Sequence, residues 1–417
     1  MNGHLAVAAA TKKIPSGWRL ETFRRVAYER GVRNVDLAEP SLSLSSSGLL
    51  YERTEKTDRQ FASERSSRNA WVVHPKDLVV NPMWLFGGAI GVSDRRGAVS
   101  PDYRVYRLSP ALHPRFVHHL LRSSTYRDQY RLYTRAETTF DRRITKDDFS
   151  DMPLVVPPYK TQRAIADYLD SEAGRIDSLV ALRRREVELL AVRFEATRET
   201  WVQDLRREYG SIPLKRLARG IEQGWSPECE SVPADPDQWG VLKTSAVSSG
   251  SFNFTENKRL PVDMDPDPRW RVNDGDLLVV RGSGSPAAVA QAAVAVVDGR
   301  KLLLSDLLYR VRLMDADPWF VAHCLRSKFA RDQFEAAIRT DVGMTRKIRS
   351  EDLATVVIPA VPFSRQSVAA EVIARDEWRI TSARSAVERQ LTLLHERRRA
   401  LTAAAVTGQL EIPGVAA

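Results

Sequence analysis

Cysteine is almost absent from this sequence of 417 residues. Its two cysteines, Cys229 and Cys324, lie far apart and show no C-x-x-C spacing. Disulfide frameworks need an even set of cysteines at close spacing, and structural zinc sites need clustered thiolates and imidazoles. We therefore predict neither a disulfide-stabilised fold nor a metal site.

Long apolar runs are also missing. The most apolar longer stretch, residues 78–92, is interrupted by Asn81, Pro82 and three glycines, and it is too short to span a bilayer. The beginning of the chain has no basic region before its short apolar run, so it does not resemble a secretory signal. We expect a cytoplasmic protein that does not contact a membrane.

Motifs of nucleotide-dependent enzymes are incomplete or missing. No Walker-type loop occurs, and the glycines of residues 86–91 are more typical of a turn with close backbone approach. Val156-Pro157-Pro158-Tyr159 differs by one residue from the Asn/Asp-Pro-Pro-Tyr motif of amino-methyltransferases. That chemistry needs a polar acceptor where this chain has Val156, so we predict no methyltransferase activity in the chain.

One nuclease-like pattern remains as an alternative. Asp237, Glu256 and Lys258 formally fit the spacing of a metal-dependent nuclease, whose carboxylates must share a metal ion. Asp237 lies in a loop-like segment and Glu256 in a turn-like one, and the first half of the chain has no equivalent. A self-sufficient DNA nuclease is therefore the second reading of the function.

Basic residues are in excess. Lys and Arg number 63 against 53 Asp and Glu, which gives a net charge of +10 and a pI near 9.7. Such an excess favours a polyanionic partner, because neutralising phosphates rewards Lys and Arg. The length suits two to four domains rather than one core.

The chain contains an internal duplication. An offset of 204 residues, the separation of Gln162 and Gln366, aligns residues 113–130 with 317–334 without a gap. The matching residues there are Pro114, Phe116, Val117, His119, Leu121, Arg122, Ser123, Arg127, Asp128 and Gln129, each identical to its counterpart. The backs of the two halves match well and the fronts diverge, which indicates two similar modules that recognise different things.

The fronts are predicted to be mixed globules. Short runs rich in Val, Leu and Tyr, broken by Gly, Pro, Asn and Ser, predict strands, and the repeated stretches 116–129 and 320–333 have helical spacing. The predicted strands are 78–80, 89–92, 104–108, 277–280, 293–297 and 308–313. The fold class is therefore α+β, with two globular α/β domains alternating with long helices.

The backs are predicted to be long amphipathic helices that pair with each other as an antiparallel coiled coil, related by a pseudo-twofold. For helix pairing or partner contacts we single out Gln162, Ile165, Leu169, Ile176, Leu190, Gln366, Ile380, Leu391 and Leu394. The predicted boundaries are an N-terminal tail at 1–13, a first domain at 14–158, a central helix at 159–207, a second domain at 208–362, a C-terminal helix at 363–408 and a tail at 409–417.

A resemblance to a known family rests on the two helix starts. They read LVVPPYKTQRAIADYLDSEAGRIDSLVALRRREVELL (154–190) and VVIPAVPFSRQSVAAEVIARDEWRITSARSAVERQLTLLHERRRALTAAAVTGQL (356–410). Each has a strand end with proline, a glutamine a few residues on and then a long helix, and the second closes on Val406-Thr407-Gly408. In this pattern the chain resembles the specificity subunit of Type I restriction–modification systems.

The resemblance implies that each front domain is a target-recognition domain for one half of a bipartite site in double-stranded DNA. It also implies that the helices bind two methyltransferase subunits, which carry S-adenosylmethionine and methylate adenine. Motor-nuclease subunits that use ATP and Mg²⁺ would join for cleavage. The chain itself would be non-catalytic and would hold no cofactor.

Base reading needs side chains that reach groove edges, while Lys and Arg on phosphates fix the register. For base contacts the candidates are Asn81, Trp84, Arg95, Arg96 and Tyr103 in the first half, and Lys243, Thr244, Lys258, Arg259, Arg281 and Ser283 in the second. Arg281 leads a segment, RGSGSP, that we predict to be a flexible loop. The repeated basic pairs Arg142-Arg143 and Arg346-Lys347 better suit phosphate contacts, because a feature shared by both halves cannot encode different sequences.

Overall fold

The computed structural model describes residues 14–53, 64–133, 143–340 and 346–412. The chain divides into two compact units, Met1–Arg184 with Arg389–Ala417 (unit 1) and Arg185–Glu388 (unit 2). Each unit therefore combines one globular part with a portion of both long helices. Within the described residues, no helix has the combination of length and apolar character needed to cross a membrane.

The globular part of unit 1 is built on a four-stranded antiparallel sheet in the order β2-β9-β6-β7. Its elements are β1 (Arg19–Thr22), α1 (Phe23–Val26), β2 (Ala27–Glu29), β3 (Leu42–Leu44), β4 (Leu50–Glu52), α2 (Glu64–Arg68), β5 (Trp71–Val73), β6 (Leu78–Val80), β7 (Ile90–Val92), β8 (Gly97–Val99), β9 (Arg104–Leu108), α3 (Pro114–Arg122), α4 (Ser124–Tyr133), α5 (Lys146–Ser150), β10 (Pro153–Val156) and the beginning of α6 (Tyr159–Tyr209). Two-stranded pairs β1-β10, β3-β4 and β5-β8 flank the sheet.

Strand β6 is covered on both faces. Leu78 and Val80 pack into the main core with Phe116, whereas Val79 points to the other face and packs in a second cluster with Val105. Alternate side chains of a strand leave on opposite faces, so a central strand buried on both sides reads as a continuous apolar run. This is why residues 78–80 were recognisable as a strand from the sequence.

Unit 2 repeats this plan with additional strands. Its elements are β11 (Ser211–Pro213), β12 (Ala218–Gln223), β13 (Trp239–Leu242), β14 (Asn257–Arg259), β15 (Leu277–Val280), β16 (Gly282–Ser283), β17 (Ala292–Val294), β18 (Lys301–Leu303), β19 (Leu308–Leu313), α7 (Pro318–Arg326), α8 (Lys328–Ala337), β20 (Arg339–Thr340), β21 (Arg346–Lys347), α9 (Ser350–Thr355), β22 (Val357–Pro359) and the beginning of α10 (Phe363–Val406). Strands β12-β19-β15-β17 form the four-stranded sheet, and β14-β13-β18 and β16-β21-β20 form three-stranded ones.

The duplication read from the sequence is confirmed in the elements. Helix α3 (Pro114–Arg122) and helix α7 (Pro318–Arg326) have the same length and both begin at a proline. Each predicted helical stretch is broken into two helices by one serine. Ser327 donates its hydroxyl to the Cys324 carbonyl and accepts from the Ala330 amide, so it ends α7 and caps α8.

The two long helices run antiparallel within unit 1. Ile165 and Leu169 of α6 belong to the same buried core as Val406 of α10. Further along α6, Asp177 accepts from Arg398 Nη1 at 2.5 Å. Later residues of α6 thus meet earlier residues of α10, as the sequence predicted.

The same antiparallel pairing holds within unit 2. Arg198 of α6 donates through Nε to Glu377 Oε1 of α10 at 2.7 Å, and Tyr209 interacts with Arg365. Of the remaining apolar residues predicted for pairing, Ile176 and Ile380 are buried, and Leu190, Leu391 and Leu394 are half-buried.

A buried ion cluster fastens α7 to these helices. Besides its bond with Arg198, Glu377 lies 3.3 Å from His323 Nδ1 and 3.8 Å from Arg326 Nη2. Burial alone would raise the pKa of the Glu377 carboxyl, but the hydrogen bond with His323 and the charge of Arg198 outweigh it and lower the pKa to about 2. Removing the carboxylate would therefore take away the anionic group that lies within 4 Å of Arg198, His323 and Arg326 together.

Replacing Glu377 with glutamine should destabilise unit 2 in a pH-dependent way. A folded-state pKa below the unfolded value means that the carboxylate stabilises the unit fully above about pH 4.5 and that this contribution is lost as the pH falls toward 2. At pH 7 we expect a loss on the order of 3 kcal/mol, measured by hydrogen exchange of the α7 amides. Glu195→Gln is the control, because Glu195 is exposed and 3.6 Å from Arg198. A loss of equal size at pH 7 and pH 3 would contradict this assignment.

Candidate nucleic-acid interface

The segment that joins β6 to β7 in unit 1 presents an exposed aromatic ring. Trp84 is 54% exposed and stacks on Phe86 with ring centroids 5.9 Å apart. Asn81 Oδ1 accepts from the Met83 amide at 3.1 Å, so this side chain shapes the turn. Gly91 allows the close backbone approach predicted for the glycine run, because a Cβ there would collide with the Gly48 carbonyl oxygen.

Two further candidates lie at the same end of the sheet. The Ile144 amide donates to the Pro82 carbonyl at 3.3 Å, which places Arg143 beside the Trp84 segment. Arg143 is exposed, with Nη2 3.9 Å from Asp102 Oδ1, and Tyr103 is half-buried in the neighbouring turn. Arg142 lies outside the described residues.

The structure separates Arg95 and Arg96 from this end. Because Leu78 pairs with Val92 and Val80 with Ile90, the turn after β7 lies at the opposite end of the strands from Trp84. Arg95 Nε donates to Asp94 Oδ1 at 2.9 Å. Arg96 Nη2 is 2.6 Å from Glu39 Oε1. These two arginines therefore belong to a different surface region of unit 1.

In unit 2 the structure brings together four of the candidates, Arg281, Ser283, Arg346 and Lys347. Strand β16 pairs with β21, so that Gly282 lies opposite Lys347 and Ser283 opposite Arg346. Arg346 is exposed and Lys347 is half-buried. The segment after β15, predicted to be a flexible loop, therefore begins as a strand, because a partner strand 63 residues later in the sequence satisfies its backbone.

Arg281 is held by its own unit. Its Nε donates to Tyr309 Oη at 3.2 Å and its Nη1 to the Asp306 carbonyl at 3.3 Å, while its carbonyl accepts from the Ile348 amide at 3.0 Å. The two side-chain contacts use two of the five guanidinium N–H donors and fix the direction of the side chain. Arg281 is thus better placed to position the β16–β21 pair than to reach outward as a base reader.

The remaining candidates of unit 2 lie on the β14-β13-β18 sheet. Lys243 Nζ is 3.8 Å from Glu256 Oε2, and Arg259 Nε donates to Glu230 Oε2 at 3.0 Å. Lys258 is exposed on β14. Thr244 begins a short 3₁₀ turn after β13.

The nuclease alternative is not supported by this geometry. Asp237 lies before the first residue of β13, Trp239. Glu256 lies beside the other end of this strand, because its carbonyl accepts from the Lys243 amide at 3.0 Å, just beyond Leu242. Four strand residues alone span about 13 Å, which is too far for two carboxylates to share a metal ion. Among the described residues, no group of three or more His, Cys, Asp or Glu side chains is arranged to hold a metal.

The two repeated glutamines serve their own units. Gln162 and Gln366 are each 1% exposed, which corrects their assignment to helix pairing or partner contacts. Gln162 Oε1 accepts from the His113 amide at 2.7 Å and its Nε2 donates to the Pro157 carbonyl at 2.9 Å. Gln366 makes the equivalent bonds with the Asp317 amide and the Val361 carbonyl.

Sequence reasoning missed a basic cleft of unit 1 lined by Arg122, Arg127, Arg398 and Arg399. Arg122 and Arg127 recur at the repeat offset, and the sequence analysis names them only as matching residues of the duplication. The sequence signal that could have found the cleft is a comparison between the two halves of the charged long-helix residues opposite these arginines.

Comparisons with known proteins find two specificity subunits of restriction enzymes that are similar in sequence. The chain is 32% identical over 156 residues to the Type I restriction enzyme EcoEI specificity subunit of Escherichia coli, a match that covers 37% of this chain and only 26% of that protein. It is 22% identical over 396 residues to the EcoKI specificity subunit of Escherichia coli K12, which covers 88% of this chain and 82% of that protein. No family model matches the chain.

Solved structures share the fold. The HsdS subunit from Thermoanaerobacter tengcongensis superposes with a TM-score of 0.59 at 16% identity, covering 97% of this chain and 100% of that one. A chain from work on complex assembly and conformational transition of the type I R-M system gives 0.69 at 15% identity, covering 95% of this chain and 100% of that one. The chain is thus similar in sequence to Type I restriction specificity subunits and shares the fold of these solved structures. In this fold, Trp84 and Arg143 of unit 1 lie at one end of its four-stranded sheet, and the candidates of unit 2 lie on or next to strands that adjoin its four-stranded sheet.

Removing the side-chain amide of Gln162 should loosen the joint between α6 and the globular part of unit 1. Gln162→Ala leaves the His113 amide without its acceptor, a cost of about 2 kcal/mol. We expect faster hydrogen exchange at that amide and a lower melting temperature of the full chain. Gln203→Ala is the control, because Gln203 is exposed on the same helix and bonds to Glu199 there. Unchanged exchange at His113 would show that this bond does not hold the joint.

Proposed function

We propose that this chain is the DNA sequence-specificity subunit of a Type I restriction–modification complex, and that each unit reads one half of a bipartite duplex site. The observation that carries the proposal is one shared frame with different surfaces at equivalent places. After β6, unit 1 has the segment with exposed Trp84. After β15, unit 2 has no such aromatic segment but continues into β16, where Gly282 and Ser283 pair with β21.

Catalysis then belongs to partner subunits. We propose two methyltransferase subunits that bind S-adenosylmethionine and methylate adenine, and motor-nuclease subunits that use ATP and Mg²⁺. The separation of Asp237 from Glu256 by the length of β13 supports a non-catalytic role for this chain. The resemblance of both helix starts to the family pattern supports partner binding along the helices.

A methylation map of genomic DNA tests the proposal most directly. Cells carrying this chain with its neighbouring methyltransferase subunit should show a split, asymmetric motif methylated on adenine. The motif should disappear when the chain is deleted and return when it is supplied again. Identical maps with and without the chain would refute the function.

Trp84→Ala should weaken recognition of one half-site only. Truncating an exposed aromatic contact typically costs about 1–2 kcal/mol, or roughly tenfold in affinity. Binding of the assembled complex is measured with duplexes mutated in one half-site or in the other. A variant that has lost a base contact discriminates less against mutations in the half-site that this contact reads. Trp319→Ala, a 47% exposed tryptophan on α7, is the matched control. Relaxed discrimination at both halves would contradict a modular reading.

Arg346→Ala with Lys347→Ala should weaken binding about equally for all sequences. Each lost phosphate contact lowers the slope of log affinity against log salt by about 0.9. The measurement is duplex binding by the assembled complex over a range of salt concentrations. The control is Arg207→Ala, which removes an exposed helix charge that pairs with Asp204. An unchanged slope would show that the β16–β21 pair does not contact phosphates.

A further inference from the structure

Identical side chains in the two units face different surroundings. At the repeat offset, His119 and Arg122 of α3 correspond to His323 and Arg326 of α7. The long-helix residues opposite them differ, because Glu377 and Arg198 of unit 2 correspond to Ala173 and Thr402 of unit 1. Unit 1 therefore lacks the pair that Arg198 and Glu377 form in unit 2, and its His119 Nε2 lies 2.7 Å from Asp170 Oδ1 of α6 instead.

In unit 2 the cluster is complete. Glu377 and Arg198 fill the space beside α7, and their side chains are 11% and 6% exposed. The carboxylate of Glu377 lies within 4 Å of Arg198, His323 and Arg326. The buried cationic groups there have an anionic partner supplied by the chain itself.

In unit 1 the small side chains leave an open cleft of about 740 Å³. Its lining includes Arg122, Arg127, Arg398, Arg399 and Thr402. The lining also includes Asp128, whose carboxylate pairs with Arg131 at 3.1 Å. A smaller adjoining cavity is lined by Ala173 and shares Arg398 and Thr402 with the cleft. The space that an ion pair occupies in unit 2 is thus bordered here by arginines.

The positive charge of this cleft is only partly balanced. Arg398 pairs with Asp177 at 2.5 Å, but in the described ranges no carboxylate lies within 4 Å of Arg122, Arg127 or Arg399. Arg122 donates to the backbone carbonyls of Ile90 and Ser46 at 3.0 and 3.1 Å.

Two half-buried arginines carry the imbalance. Burial, with the neighbouring charges of Arg127 and Arg398, lowers the pKa of Arg122 to about 10. Arg127 Nε is buried and has no hydrogen-bond partner among the described residues. Desolvating a charge that has no counter-ion is unfavourable, so a bound anion would stabilise these guanidinium groups.

We infer that this cleft binds a phosphate group. Several guanidinium groups converge on it, and a phosphate offers more acceptor oxygens than a carboxylate for such forks. Arg122 also donates to the Gly88 carbonyl in the segment that carries Trp84. That link makes the backbone of duplex DNA the favoured source, an attribution that rests on the proposed function, and a free phosphate compound is the other source.

The repeat itself supplies the decisive variant. Ala173→Glu with Thr402→Arg installs in unit 1 the ion pair that fills unit 2. Inorganic phosphate should raise the melting temperature of the wild-type full chain by about 2–4 °C over chloride at equal ionic strength, and the double variant should lose this shift. Ala181→Glu with Thr392→Arg makes the same charge changes at exposed positions of the two helices and should keep the shift.

A second variant keeps the inference testable if the double variant fails to fold. Arg399→Gln changes an exposed helix residue and should weaken phosphate binding at least threefold in a calorimetric titration. A phosphate shift that persists unchanged in both cleft variants would overturn the inference. Absence of any phosphate shift in the wild type, together with an unchanged salt slope for DNA, would overturn it as well.

Duplex binding separates the two sources. If the cleft holds a backbone phosphate, the salt slope of DNA binding by the assembled complex falls by about 0.9 in the variants. A phosphate shift that the variants abolish while the DNA slope stays unchanged assigns the cleft to a free phosphate compound. Neither outcome depends on the methylation map, so failure of the proposed function and failure of this inference can be told apart.

Discussion

The direction in which each long helix leaves its globular part depends on one buried glutamine. Gln162 and Gln366 accept from a loop amide with one side-chain atom and donate to the strand-end carbonyl with the other. A buried amide group with these bonds has a single satisfactory orientation, since losing either bond leaves a polar group unpaired. The helix start is therefore fixed to the end of β10 in unit 1 and to the end of β22 in unit 2. Helix pairing within each unit can only be built on that fixed start.

Duplication explains why the two units share a frame and differ in their charges. Positions that hold the frame, such as the serines that separate α3 from α4 and α7 from α8, make the same bonds in both copies. Positions that face a groove or a cleft do not make these fold-stabilising bonds, so their side chains can differ between the copies. Arg198 and Glu377 form a buried pair in one copy, and the other copy has Thr402 and Ala173 there. A repeat of this kind keeps packing constant while its surfaces diverge.

The sequence was sufficient for the strands and helices whose periodicity reflects burial. Residues 78–80, 104–108, 277–280 and 308–313 were predicted as strands and are β6, β9, β15 and β19, because central strands need continuous or alternating apolar side chains. It was not sufficient for the β16–β21 pair, whose partner strands lie far apart in the chain and have two residues each. It also grouped Arg95 with Trp84, although the register of β6 and β7 places them at opposite ends. Register and long-range pairing are set by tertiary packing, which a local pattern does not encode.

The same limit governs the recognition residues. The sequence does not show whether a basic or aromatic side chain in a loop is exposed to solvent or bonded within the protein. In the structure Arg281 is bonded to Tyr309 and the Asp306 carbonyl, whereas Trp84 and Lys258 are exposed. A base reader must keep its donors unused until it meets the groove edge, because bonds within the protein would have to be broken first. The side chains that hold a recognition surface in shape are thus different from the side chains that read with it, and only the hydrogen-bond pattern distinguishes them.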